Sequence, residues 1–203
     1  MSDRLTERLN AILPKITSQD FLSGQGIGNE IPFYVFDYPP EDELRVREHL
    51  SFLEDKLPKQ APNVSFNHVN LFDFLMDYIK GRGYYEKSME KEREFGSAKA
   101  VKSIKSIASA EKIADQFFNE IMSQKPDLVL VSGVGSAYPI IRTHELLNNL
   151  HMHMGLTPLV IFYPGVYDKI TLNLFGKSSL AFDSSSTDRT RQARYYRAFR
   201  LIE

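Results

Sequence analysis

An uninterrupted apolar run at 128–131 (LVLV) is followed at once by Ser132-Gly133-Val134-Gly135, then by Ile140, Ile141, Leu147 and Leu150. No other stretch constrains the chain as strongly. A strand that is apolar at every position has no water-facing side, so both faces must be covered, as in a parallel sheet with helices above and below. The pattern recurs at 159–163 (LVIFY), where Pro164-Gly165 stops the run. Residues 33–38 (FYVFDY), aromatic and β-branched between Pro32 and Pro39, supply a third strand. The expected fold class is α/β: a Rossmann-like three-layer domain with a mostly parallel sheet, helices on both faces, and an added helical segment around residues 84–123.

With 203 residues the chain suits one domain spanning 1–203, with a charged helical insertion at about 81–123. A domain of that size buries roughly 70% of the surface its unfolded chain exposes. Cysteine is absent, which excludes disulfides, thiolate metal sites and a cysteine nucleophile, and fits a reducing cytosol. The first residues, MSDRLTERLNAI, hold charges in place of an apolar signal core, and no later run is long enough to span a membrane. A cytoplasmic location is therefore expected, with no membrane partner. Net charge is −1, so there is no global basic field for nucleic acid. The charge is unevenly spread: residues 1–60 carry 7 basic and 11 acidic groups, 80–112 carry 9 and 5, and 177–203 carry 6 and 3. Such asymmetry either steers a partner or reflects ordinary solvated faces.

Leu5, Leu9, Ile12, Leu13 and Ile16 recur at helical steps, so the first helix is amphipathic and passes Pro14 only with a kink or break. Residues 23–29 (SGQGIGN) precede a strand instead of following one, which removes the geometry a phosphate loop needs and leaves a connector. Pro40 opens a helix with Leu44, Val46, Leu50, Leu53 and Leu57 as its buried stripe, ending at Pro58. Residues 64–70 (VSFNHVN) form a weaker strand near a sheet edge. The lone histidine there, His68, reads as a structural residue, because acid–base work needs a partner that the sequence does not place. A short helix over 71–79 closes at Gly81 and Gly83. After a charged helix at 84–95, Ser97 caps one long helix through Ile121, whose Lys99, Lys102 and Lys105 form a basic face. These helices either protrude as a contact element for a partner or nucleic acid, or form a plain crossover.

The turn after Val131 is the best pocket candidate, because a strand-to-helix glycine turn leaves unpaired amides suited to an anion. Gly133, Gly135, Ser136, Arg142 and Tyr163 are its candidate ligand residues, with Thr143, His144, Glu145, Tyr167 and Asp168 near the same mouth. The pattern lacks the third glycine of the dinucleotide fingerprint, the Gly-Lys-Ser/Thr of a phosphate loop and the serine between glycines of a nucleophile elbow. The two glycines then serve a tight turn. His151 and His153 lack a third ligand at a telling spacing, so neither a metal site nor a cofactor is expected. In the tail, Arg191, Arg194 and Arg197 alternate with Tyr195, Tyr196 and Phe199. They either grip single-stranded nucleic acid or blunt a final edge strand.

Three stretches together, 133–150 (GVGSAYPIIRTHELLNNL), 158–177 (PLVIFYPGVYDKITLNLFGK) and 195–202 (YYRAFRLI), resemble the BrxB family of bacterial BREX, or bacteriophage exclusion, systems. The specificity of the match lies in the C-terminal third; the first 120 residues agree in size and α/β layout. The resemblance implies antiviral defence in the cytoplasm beside a phosphatase-fold subunit (PglZ), a large ATPase (BrxC) and an adenine-specific DNA methyltransferase (PglX). It implies no catalytic residue. The expected function is a non-catalytic adaptor that joins defence subunits, with direct DNA binding weak or absent; the alternative is a nucleotide- or anion-binding enzyme or regulator using the Gly133 turn.

Overall fold

In the computed structural model, residues 3–23, 32–151, 154–176 and 198–203 are described. Among them, helices α1 (Arg4–Ile16) and α2 (Gln19–Leu22) precede strand β1 (Phe33–Tyr38), and α3 (Glu43–Gln60) leads to β2 (Phe66–Asn70). Helices α4 (Leu71–Gly81), α5 (Tyr85–Phe95), α6 (Ser97–Ile107) and α7 (Ala110–Glu120) follow, then β3 (Leu128–Ser132). The chain closes with α8 (Val134–Ala137), α9 (Thr143–Leu150), β4 (Leu159–Tyr167), β5 (Leu172–Leu174) and β6 (Phe199–Arg200). The strands stand in the order β2-β3-β4-β1-β6, each pair parallel, while β5 pairs antiparallel with the end of β4.

This order follows from the handedness of crossovers. From β1 the chain crosses to the far edge at β2 through α3, on the face that also carries α1. It then steps back through β3 to β4 by way of α4, α7 and α9 on the opposite face. A right-handed connection needs opposite faces for opposite directions of travel. Alternation along each strand splits the core accordingly. Leu128, Leu130, Val160, Phe162 and Phe36 pack with Leu9, Ile12, Leu53 and Leu57 on one side, whereas Val129, Val131, Leu159, Ile161 and Phe33 pack with Leu75, Ile113, Phe117 and Leu147 on the other. The continuous apolar runs that point to a buried parallel sheet are buried at every position of β3. β2, on the edge, is mostly half-buried, as its weaker pattern predicts.

Several local expectations are corrected. The single helix expected from Ser97 to Ile121 is two helices, broken at Ala108, because Ser109 begins a new one: its hydroxyl accepts from Lys112 N. Ser97 does not cap α6; it is that helix's first residue, and its hydroxyl donates to Glu92 Oε1 at 2.7 Å. The basic face is thus on α6, which pairs with α5, while α7 buries Ile113, Ala114 and Phe117 as the crossover helix. Helix α3 continues past Pro58 to Gln60, and Leu44 is exposed, leaving Val46, Leu50, Leu53 and Leu57 as the buried stripe. Helix α1 is likewise unbroken at Pro14, which leaves only the kink of the two expected outcomes, and Asp3 caps its start at Thr6 N. β4 does not stop at Pro164. It continues to Tyr167 because β5 folds back onto it, and Gly165 lies so close to Asn173 O that a Cβ there would approach within 2.3 Å.

Candidate functional site

In an open parallel sheet, functional groups collect at the carboxyl ends of the strands, chiefly where neighbouring strands send their connections to opposite faces. Here β1 leaves toward α3 on one face whereas β2 and β3 send their connections to the other, and β4 stands between β3 and β1. A cleft of about 330 Å³ opens there, walled by Arg8, Asp37, Tyr38, Glu41, Val166 and Phe175, among others. Asp37 is its buried centre. Arg8 donates to Asp37 Oδ1 and to its backbone carbonyl, both at 2.8 Å; Tyr167 N donates to Oδ2 at 3.1 Å, and Arg200 reaches Oδ2 at 3.3 Å and also Tyr167 O. The Arg8 guanidinium rests over the Phe36 ring, 4.7 Å from its centroid. One carboxylate thereby holds together α1, β1, β4 and the C-terminal β6. Nothing in the residue spacing signals this clasp, since Asp37 stands 29 positions from Arg8 and 163 from Arg200.

The glycine turn is built differently from a ligand loop. Gly133 has φ +69°, and a Cβ on it would meet Asn70 Oδ1 at 2.0 Å. That oxygen accepts from Phe72 N at 3.1 Å and Asp73 N at 3.4 Å, capping α4. Glycine is needed so that one turn can pass over the cap of another helix. Gly135 in turn lies against Pro164 and Phe175 of the β4–β5 hairpin. The helix expected to follow directly is a single turn, α8, and a cis Tyr138–Pro139 peptide separates it from α9. Gly133, Gly135 and exposed Ser136 therefore share one turn. Arg142 stands at the N-cap of α9 with Glu145 Oε1 at 3.9 Å, and Tyr163 is buried on β4. Tyr167 is buried and donates to Ala198 O; Asp168 instead closes the hairpin, accepting from Ile170 N and from the Thr171 hydroxyl, bonds that hold its carboxyl below the usual range. Lys99 and Lys102 are exposed on α6 and Lys105 is half-buried. Arg191, Arg194 and Arg197, like His153 and the glycines at 24–28, lie outside the described residues.

His68 has the partners that the sequence did not place. Its Nδ1 lies 2.7 Å from Glu54 Oε1 on α3, and its Nε2 lies 2.8 Å from Ser132 Oγ at the end of β3. The register explains the meeting. Asn70 stands opposite Ser132, so His68 is two residues back on the same side of the sheet as Ser132, the side that α3 covers. Among the described residues no cluster of three or more metal-ligating side chains occurs, and no helix is long and apolar enough to cross a membrane.

Strand order, covered faces and carboxyl rim together define a Rossmann-like α/β protein, built on its own variant of the strand order and without the dinucleotide fingerprint after β1, β2 or β3. The family model described as BREX protein BrxB matches residues 67–201. A BREX protein BrxB of Bacillus cereus (strain H3081.97) is 36% identical over 98% of both chains. Another, of Escherichia coli O9:H4 (strain HS), is 37% identical over 98% of this chain and 92% of its own length. The chain belongs to the BrxB family, and so to the components of BREX systems. The likeness runs through the first 120 residues as well as the C-terminal motifs. No solved structure gives a significant match.

Proposed function

We propose that this protein is an adaptor that binds other subunits of a BREX-type anti-phage complex, the phosphatase-fold PglZ and the ATPase BrxC being the partners that the family context favours. The observation that carries this reading is an apolar cluster left uncovered on the carboxyl rim. Tyr138, Val166 and Phe175 are all exposed, and the Tyr138 and Phe175 rings meet edge to face at 6.5 Å. Aromatic side chains held rigid at a surface and rimmed by polar groups are the usual anchors of protein interfaces. A second exposed platform is available on the α5–α6 pair, where Lys99 lies 4.9 Å from the centroid of the exposed Phe95 ring.

The test is association of the purified chain with purified PglZ and BrxC at micromolar concentration, followed by size-exclusion chromatography and titration calorimetry. A defined complex is expected with at least one of them. Replacing Tyr138 and Phe175 by serine weakens it by about 30-fold or more, the equivalent of one interface hot spot of about 2 kcal/mol. Absence of any complex with either subunit overturns the adaptor reading. A complex indifferent to these changes but lost with Phe95→Ser and Lys99→Glu moves the interface to the helical pair.

A further inference from the structure

Glu54, His68 and Ser132 come from α3, β2 and the end of β3, and they meet in the order carboxylate, imidazole, hydroxyl through bonds of 2.7 and 2.8 Å. The protons of this chain of groups follow from chemistry. A carboxylate only accepts, so His68 Nδ1 carries a hydrogen; in the neutral tautomer of that kind Nε2 has a lone pair and accepts from the Ser132 hydroxyl. That is the polarity a general base needs in order to take a proton from an oxygen nucleophile. Such constellations are recognised by geometry and roles, not by sequence order or a motif, which is why the missing G-x-S-x-G does not decide the matter.

The location also suits chemistry. Ser132 is the last residue of β3, on the carboxyl rim, and the next residue is a glycine with φ +69° that turns the chain sharply away. β2, which carries His68, is the edge strand, so the relay sits at an open side of the sheet, with Glu54 well exposed. A polar relay is not what the rest of this face uses, since Leu128 and Leu130, four and two residues earlier on the same side of β3, make apolar contacts.

We propose that Ser132 is a nucleophile for acyl transfer, with His68 as its general base and Glu54 as the positioning residue, acting on a small activated ester. Ser132 Oγ bonds to the carbonyl carbon while its proton passes to His68 Nε2. The bond from that carbon to the leaving oxygen breaks, and His68 Nε2 returns the proton to the departing alcohol. A water molecule, giving its proton to the same Nε2, then attacks the acyl-serine, releases the acid and restores the hydroxyl. No oxidant, reductant or metal enters the balance. Ser132 retains only 6% exposure, so the acyl group it accepts is small, and a folded polypeptide is excluded as substrate. This activity is independent of the adaptor reading, and either stands without the other.

The test uses the full chain with a fluorophosphonate probe and p-nitrophenyl acetate. The expected result is a single covalent adduct on Ser132, located by peptide mass spectrometry, together with ester hydrolysis. Ser132→Ala abolishes both, and His68→Asn lowers the hydrolysis rate by about 10⁴-fold, the loss typical of a relay with its base removed or mis-oriented. Glu54→Gln slows labelling and displaces the pH midpoint of hydrolysis, and Glu54→Asp restores part of the rate; a purely structural carboxylate would move neither. If the unmodified, folded protein forms no Ser132 adduct in excess probe and hydrolyses the ester no faster than Ser132→Ala, the proposal is wrong and the relay is a structural clamp.

Discussion

Replacing Gly133 by alanine is the sharpest probe of the turn that organises this fold. Two costs can be worked from the geometry. Holding alanine at φ +69° costs about 1–2 kcal/mol relative to glycine. The new Cβ would lie 2.0 Å from Asn70 Oδ1, so the Asn70 side chain must leave and α4 loses its cap, about 1 kcal/mol more. The total is about 2–3 kcal/mol, which for a chain of this length lowers Tm by about 4–12 °C. Differential scanning calorimetry of four proteins tests the reasoning: the unmodified chain, Gly133→Ala, Asn70→Ala and the double variant. Because Gly133→Ala already evicts Asn70, the double variant should be no less stable than Gly133→Ala alone, and the two single effects should fail to add by about 1 kcal/mol. An unchanged Tm for Gly133→Ala, or strict additivity, refutes the argument.

Two further outcomes follow from the clasp and from two half-buried histidines. Asp37→Asn leaves the Arg8 and Arg200 guanidiniums, both mostly buried, without their shared carboxylate, so urea unfolding should show a loss of about 3–5 kcal/mol; a loss under about 1 kcal/mol would mean the clasp is not structural. Burial pushes the imidazoles of His49 and His144 below the ordinary histidine value. The unfolded chain then binds more protons than the folded one as pH falls through about 6.5, so this stability is complete above that pH and drains away below it toward the folded-state values. Chemical denaturation between pH 7.5 and 5 should show decreasing stability, with a shallower slope in His144→Gln; stability that rises on acidification would contradict the burial.

Much of the architecture could be read from residue pattern, because burial on both faces of a parallel strand writes itself into consecutive residues such as 128–131 and 159–163. Element ends were less legible. Pro58 and Pro164 look like stops, yet α3 and β4 run through them, since one missing N–H is tolerated where packing on Leu57 or pairing with β5 holds the backbone. The break before α7 had a local signal in Ser109, and the longer helical periodicity across it masked that signal.

What the sequence determined by itself is the α/β class, the strands that lie inside the sheet, the landmark turn at Gly133 and the family resemblance, because each is written in neighbouring residues. Only the tertiary structure decided the strand order, the Arg8–Asp37–Arg200 clasp at the β1–β4 cleft and the partners of His68. Glu54 and Ser132 stand 14 residues before and 64 residues after the imidazole they flank. A crossover helix and a parallel register bring them within hydrogen-bond reach, and such long-range pairing leaves no period for a one-dimensional pattern to display.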